Sequence, residues 1–238
     1  MKIAIIGYGK MGKIIETTAL KRGHTIGSII DLGDEQLLAP DNLDKHDVAI
    51  EFSSPSSAFE NISKCMDAGL PVVSGSTGWT DRIEDLKTRC KAEYLGFVYA
   101  SNYSLGVNIL FSLNERLAEI MQNHEVYDVS MTEIHHSQKL DAPSGTALTL
   151  ADGILGNVSR KKQWVLQDNG NNEDLFINAI RSGKVTGDHE VIYESVFDNL
   201  SIKHSAKDRS GFATGALIAA EFIKDRKGFF TMKDVLGL

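Results

Sequence analysis

The sequence predicts an α/β protein: a Rossmann-type doubly wound parallel sheet plus a second, α+β domain with an open mixed sheet. Three observations carry this. Short apolar runs alternate with helical patterns over roughly the first hundred residues. A glycine-rich G-x-G-x-x-G turn joins the first run to the first helix. Beyond Glu125 the pattern changes to longer segments that alternate apolar and polar residues, as strands with one packed face do. The domain boundaries read as 1–103 with 210–238, and 104–209.

The first strand is Lys2-Ile3-Ala4-Ile5-Ile6, and Gly7-Tyr8-Gly9-Lys10-Met11-Gly12 turns it into a helix marked by Ile14, Ile15, Thr18, Ala19 and Leu20. In that context the glycines allow a tight turn, close approach to a pyrophosphate, and packing of helix on strand. A second strand, Ile26 to Ile30, ends at Asp31, about 20 residues past the motif, where an acid can accept both hydrogen bonds from an adenosine ribose. The same acid repels the additional phosphate of NADP, and Leu32, not arginine, follows it. The reading leans to NADH. Lys10 and Lys13 stand close enough in the chain to reach a 2′-phosphate, which keeps NADPH open.

Further strand and helix pairs are Val48 to Phe52 with Ala58, Ile62 and Met66, Pro71 to Ser74 with a helix from Thr80, and Gly96 to Tyr99. Ligands bind at the carboxyl ends of such strands. Of the two polar loops there, Ser53 to Ser56 reads as plain turn chemistry and Gly75-Ser76-Thr77-Gly78 as functional. The apolar stretch from Leu95 to Leu113 is interrupted by Ser101, Asn102, Ser104, Gly106 and Asn108. It reads as a buried strand, a polar loop and a core helix, not a membrane span.

Val126 to Ile134 alternates as a strand with one buried face that runs out at His135 and His136. Pro143 and Ser144 then open a helix through Ala147, Leu148, Leu150, Ala151, Ile154 and Leu155, with Ser144 as N-cap. Backbone amides at Gly145 and Thr146 sit at the positive end of that helix, where carboxylate or phosphate binds. Two imidazoles, the Lys139 ammonium and a helix start within fifteen residues equip a site for a small anion. Consecutive side chains on an extended segment point to opposite sides, so His135 and His136 take different roles. A metal is not expected, because no further His, Cys or Asp falls at ligand spacing nearby and Lys139 repels a cation. Strands follow at Phe176 to Arg181, Glu190 to Ser195 and Asn199 to His204, with a polar turn at 169–173. A helix through Phe212, Ala216, Leu217, Ala219, Ala220 and Phe222 returns to the first domain.

Hydrophobic residues make up 42% and charged residues 24% of 238, with a formal charge of −7, ordinary for a soluble globular protein. No basic cluster marks nucleic acid or an anionic membrane as partner. Cys65 and Cys90, the only cysteines, lie in apparent amphipathic helices and suit a reducing cytoplasm. The first residues enter a strand without a signal-peptide pattern, which also points to the cytoplasm.

Together these signals resemble the dihydrodipicolinate reductases, more fully 4-hydroxy-tetrahydrodipicolinate reductases, of bacterial lysine and diaminopimelate biosynthesis. The resemblance runs through Gly7 to Gly12, Gly75 to Gly78, Ala100-Ser101-Asn102-Tyr103-Ser104-Leu105-Gly106-Val107-Asn108, the His-His-x-x-Lys-x-Asp-Ala-Pro-Ser-Gly-Thr-Ala string from His135, and Phe230 to Leu236. It implies NAD(P)H-dependent reduction of a cyclic imine dicarboxylate with loss of water, in a homotetramer whose 104–209 domain binds substrate and oligomerises. Carried over by residue, His135 and Lys139 are catalytic, and His136, Ser144, Gly145 and Thr146 contact substrate. Gly7, Tyr8, Gly9, Lys10, Met11, Gly12, Asp31, Gly75, Ser76, Thr77, Ala100, Ser101, Asn102 and Tyr103 contact the cofactor. NADP-preferring members often carry arginine after the ribose acid, and Leu32 departs from that pattern. Two other readings share the first domain: another two-domain nicotinamide enzyme such as an amino-acid dehydrogenase, and a non-catalytic dinucleotide sensor.

Overall fold

The computed structural model describes residues 1–168 and 170–238, which divide into two units, Met1–Leu105 with Arg209–Leu238, and Gly106–Asp208.

The first unit is built on six parallel strands: β1 (Lys2–Ile6), β2 (Thr25–Ile30), β3 (Val48–Glu51), β4 (Val72–Ser74), β5 (Gly96–Tyr99) and β11 (Gly228–Phe230), in the order β11-β5-β4-β3-β1-β2. Both faces are covered, which is why the inner strands are continuous apolar runs. On one face Ile3 and Ile5 pack with Ile15 and Ala19 of α1 (Lys10–Lys21) and with Ala216, Leu217 and Ala220 of α7 (Ser210–Ile223). On the other, Ala4, Ile6 and Ala49 meet Ile62, Cys65 and Met66 of α3 (Ala58–Asp67) and Leu86 and Cys90 of α4 (Ile83–Glu93). Burial pushes both thiols up, Cys90 to about 11, so they are packing groups and not nucleophiles at neutral pH. A short α2 (Pro40–Leu43) precedes β3, and α8 (Met232–Leu236) follows β11 behind a capping box of Thr231 and Asp234. β11 has three residues, too few to show a period in the sequence.

Strand order reverses at β1: the chain steps outward to β2 and returns on the other side as β3. Such a reversal opens a crevice beyond the carboxyl ends of the two flanking strands.

The second unit carries a mixed sheet of β6 (Asp128–His135), β7 (Gln163–Val165), β8 (Asp174–Arg181), β9 (Asp188–Glu194) and β10 (Asn199–Ser205), in the order β10-β9-β6-β8-β7. β6 runs antiparallel to β9 and parallel to β8. Val129, Met131, Leu175, Ile177, Val191 and Tyr193 form the packed face, against Leu110, Ala118 and Met121 of α5 (Leu105–Met121) and Ala147, Leu150 and Ile154 of α6 (Gly145–Leu155). The core helix expected up to Leu113 is core on one side only: Ile109, Leu113 and Ile120 of α5 are exposed. β7 is not foreseen in the sequence, and of the turn expected at 169–173, Asn169 lies outside the described residues. No helix among the described residues is long and apolar enough to cross a membrane.

Candidate active site

In the first unit, the turn after β1 assigns each glycine a distinct job. Gly7 has φ +89°, and a Cβ there would lie 2.3 Å from the Phe52 carbonyl oxygen; one on Gly12 would lie 2.3 Å from the Gly7 carbonyl oxygen. Both positions therefore exclude a side chain by contact with backbone. Gly9, at the N-cap of α1, has nothing within 4 Å of its absent Cβ, leaving the helix start open to a ligand.

A cavity of about 490 Å³ begins there. It is lined by Gly7, Tyr8 and Gly9 after β1, Asp31, Leu32 and Glu35 after β2, Ser53, Ser54, Ser56 and Ser57 after β3, and Glu60, Asn61 and Lys64 of α3. Asp31 thus lines the same cavity as the glycine turn. The reading of Ser53 to Ser56 as turn chemistry alone is corrected, since this loop forms one wall. The cation at the Asp31 end is Lys64, 2.9 Å from Glu60. Lys10 and Lys13 do not line the cavity, and Lys13 lies 5.6 Å from the Tyr8 ring centroid. Met11 packs against the core under α1.

The loops beyond β4 and β5 are fixed from beneath. Gly75 faces the Phe52 ring, the Ser76 carbonyl accepts from Trp79 Nε1 at 2.7 Å, and the Ser76 hydroxyl donates to Glu51 at 2.7 Å. Thr77 and Ser101 are exposed, and Ala100 and Asn102 are half-buried. Tyr103 is buried, its hydroxyl donating to the Ser74 carbonyl at 2.7 Å, so its side chain supports the strand ends from the core.

In the second unit, the buried face of β6 changes character along its length, from Val129 and Met131 to Glu133 and His135. Strand register does the rest. Glu133 pairs with His189 on β9, and His135 with Arg181 on β8. Arg181 Nη2 donates to Glu133 Oε1 at 2.9 Å, and the Ser144 N–H donates to both carboxylate oxygens at 3.2 and 3.1 Å. His135 Nδ1 is 3.5 Å and His189 Nε2 3.7 Å from Glu133 Oε2, and the two rings meet edge to face at 5.1 Å. The Ser144 hydroxyl is 3.2 Å from His189 Nε2 and accepts from the Ala147 N–H, the N-cap bond that starts α6.

These contacts tune the titrations. Burial lowers His189 to about 4, with His135 adding to the effect. Burial also lowers His135, opposed by Glu133 and helped by Lys139 and Arg181. For Glu133 burial acts upward, but the bonds from Ser144 and Arg181 outweigh it and hold the carboxyl below its ordinary value. The Lys139 ammonium grips both Asp141 oxygens at 2.8 and 2.7 Å, which holds that carboxyl down as well. His136 is half-buried beside this loop, Gly145 is exposed, and Thr146 is half-buried in the first turn of α6.

Sequence spacing therefore brings His135 and Ser144 into one cluster but misses its other members, Glu133, Arg181 and His189. The expectation that no further ligand-type residue stands near the histidines is corrected: Glu133, His135 and His189 offer ligand atoms within 4.8 Å of one another. Arg181 donates into that same carboxylate, so a cation would have to sit beside a guanidinium, which favours a proton-handling cluster over a metal centre.

Residues 1–103 match the family model described as dihydrodipicolinate reductase, N-terminus, and residues 106–236 the one described as dihydrodipicolinate reductase, C-terminus. The chain belongs to the dihydrodipicolinate reductase family. Its relatives include the 4-hydroxy-tetrahydrodipicolinate reductase of Christiangramia forsetii, 48% identical across 100% of this chain and 98% of that protein. The enzyme of the same name from Chromobacterium violaceum is 34% identical across 99% and 98%. Among solved structures, the dipicolinate-bound dihydrodipicolinate reductase from Paenisporosarcina sp. TG-14 shares the fold at a TM-score of 0.80 and 21% identity, covering 97% of each chain. An amine dehydrogenase from Mycobacterium smegmatis also shares it, at a TM-score of 0.63 and 12% identity. Architecture by itself does not select the reaction.

Proposed function

We propose that this chain reduces 4-hydroxy-tetrahydrodipicolinate to tetrahydrodipicolinate with loss of water, using NADH in preference to NADPH, as a cytoplasmic homotetramer serving lysine and diaminopimelate biosynthesis. The observation that carries the reading is the buried Glu133, His135, His189 and Arg181 cluster at the start of α6, in a chain of this family.

A bound dihydronicotinamide supplies the hydride; this chain's residues hold the reactants and move the proton. Gly7 to Gly12 cradle a pyrophosphate, Asp31 takes the adenosine ribose, and Gly75 to Thr77 with Ala100 to Tyr103 border the other half of the dinucleotide. At the Asp31 end of the cavity, Asp31, Glu35 and Glu60 stand against Lys64 alone, a balance that repels a 2′-phosphate and supports NADH.

The Paenisporosarcina enzyme binds dipicolinate, a dicarboxylate. A dicarboxylate here is held by the amides of Gly145 and Thr146, the Ser144 hydroxyl and His136, with the α6 dipole adding to the attraction. The Lys139 ammonium carries a proton on Nζ and gives it to the carbon beside the one that receives hydride, as general acid. His135, neutral before substrate arrives, is drawn toward its protonated form by the dianion and acts as the second proton carrier. Exposed Val196, Phe197 and Leu200 by β10 are the surface that assembly would cover, and a monomer in sedimentation would remove that part of the reading.

The test is NADH oxidation on mixing the protein with enzymatically generated substrate. Consumption that depends on that substrate is expected. Consumption only with a 2-oxo acid and ammonium would make the chain an amino-acid dehydrogenase, and tight NADH binding without turnover would make it a sensor.

A further inference from the structure

Glu51, the last residue of β3, is buried at 0% exposure among apolar strand neighbours, and the described residues give it no cationic partner. Its carboxylate accepts from the Ser53 N–H at 2.8 Å, the Ser53 hydroxyl, the Ser74 hydroxyl at 2.6 Å and the Ser76 hydroxyl at 2.7 Å. A carboxyl group so deep in a sheet is costly unless its oxygens are hydrogen-bonded, and here neutral donors meet them. Packing has no need of it, since Ala49 and Val72 on the same face of the sheet fill that layer with alkyl groups.

The donors come from the ends of two strands. Ser53 belongs to the loop after β3, and its hydroxyl also accepts from Asn61 Nδ2 at 3.1 Å, so this arm reaches the cavity wall. Ser74 and Ser76 belong to β4 and the Gly75 loop, whose Ser76 carbonyl is held by Trp79. One buried group thus sets the spacing of the two loops at the carboxyl edge of the sheet.

We propose that Glu51 is a positioning residue for the dinucleotide: through Ser74 and Ser76 it fixes the Gly75 loop so that the nicotinamide half is seated, while the Ser53 loop on the adenosine side is also held by Asn61 and by the Ser54–Ser57 turn. This rests on the reading of the cavity and the Gly75 loop as the cofactor site.

Calorimetric titration of the full chain with NADH and, separately, with ADP-ribose, which lacks the nicotinamide, tests it. Glu51→Gln keeps the shape but turns an amide NH₂ toward a hydroxyl donor. It is expected to weaken NADH roughly tenfold and to leave ADP-ribose within about twofold of wild type. Ser74→Ala removes a donor that no ligand can touch, since Ser74 is fully buried, and should give the same pattern with less than additive effect on top of Glu51→Gln. If Glu51→Gln does not fold, Ser74→Ala alone decides by the same split. Unchanged NADH affinity, or equal losses for both ligands, overturns the proposal. Failure of the wild type to bind ADP-ribose overturns the reading of the cavity and the proposal with it.

Discussion

Among the described residues two glutamates are buried, one near a strand's carboxyl end in each unit, and they are held in opposite ways. Glu51 is surrounded by serine hydroxyls and an amide, groups that neither carry charge nor titrate near neutral pH. Glu133 is surrounded by a guanidinium, an amide and two imidazoles. The first arrangement fixes a backbone. The second fixes charges and makes the site responsive to protons, because each neighbour's protonation state depends on the others'. A buried carboxylate is thus not one kind of signal; its partners decide whether it positions or titrates.

The largest effect should come from Lys139, the proposed proton carrier on the Glu133 side. Lys139→Ala is expected to lower kcat about 10²- to 10⁴-fold while NADH affinity stays at the wild-type value. Parallel loss of turnover and cofactor binding in calorimetry and steady-state assays would erase the distinction between the two units.

Arg181→Ala leaves Glu133 buried without its guanidinium and should cost about 3 kcal/mol or more in urea unfolding. Ser74→Ala, which removes one neutral donor from Glu51, should cost about 1 to 2 kcal/mol. Equal losses would show that the two carboxylates are held by equivalent means after all.

The pH dependence sharpens the contrast. His189 is held at about 4 against an ordinary 6.5, so between these values the unfolded chain binds more protons than the folded one. Stability is therefore complete above about 6.5 and falls as pH drops toward about 4, by up to roughly 3 kcal/mol from this group. Glu133, held low, loses its contribution in the same direction as pH falls further. Thermal melts should show this slope flattened in His189→Gln and retained in Ser74→Ala; an unchanged slope in His189→Gln would mean that His189 does not carry it.

The smallest effect concerns the cofactor's distal end. Leu32 is 92% exposed, so Leu32→Arg adds a guanidinium beside Asp31 without disturbing packing. The NADPH to NADH ratio of kcat/KM should rise roughly tenfold, and a fixed ratio would show that Lys64, Glu35 and Glu60 set the preference without position 32.

Much of both sites is legible before folding is considered. The glycine spacing at Gly7 and Gly12 and the cap at Ser144 follow from local backbone needs, and the structure shows both. Glu133 could have been found as well, since it lies two residues before His135 on a strand and so shares its face. Arg181 and His189 could not, because the register of β6 with β8 and β9 brings them in. Lys64 is not legible from spacing, because it is far from the glycine motif in the chain and α3 carries it to the cavity wall.

By itself the amino-acid order determined the alternation of strands and helices, the glycine turn after β1 and the Ser144-capped helix start, because periodicity, glycine contacts and capping act over a few residues. Only the tertiary structure decided what surrounds each buried carboxylate. Arg181 reaches Glu133 across 48 residues of chain and Ser76 reaches Glu51 across 25, separations that strand pairing and the packing of strand-end loops close and that no local pattern encodes.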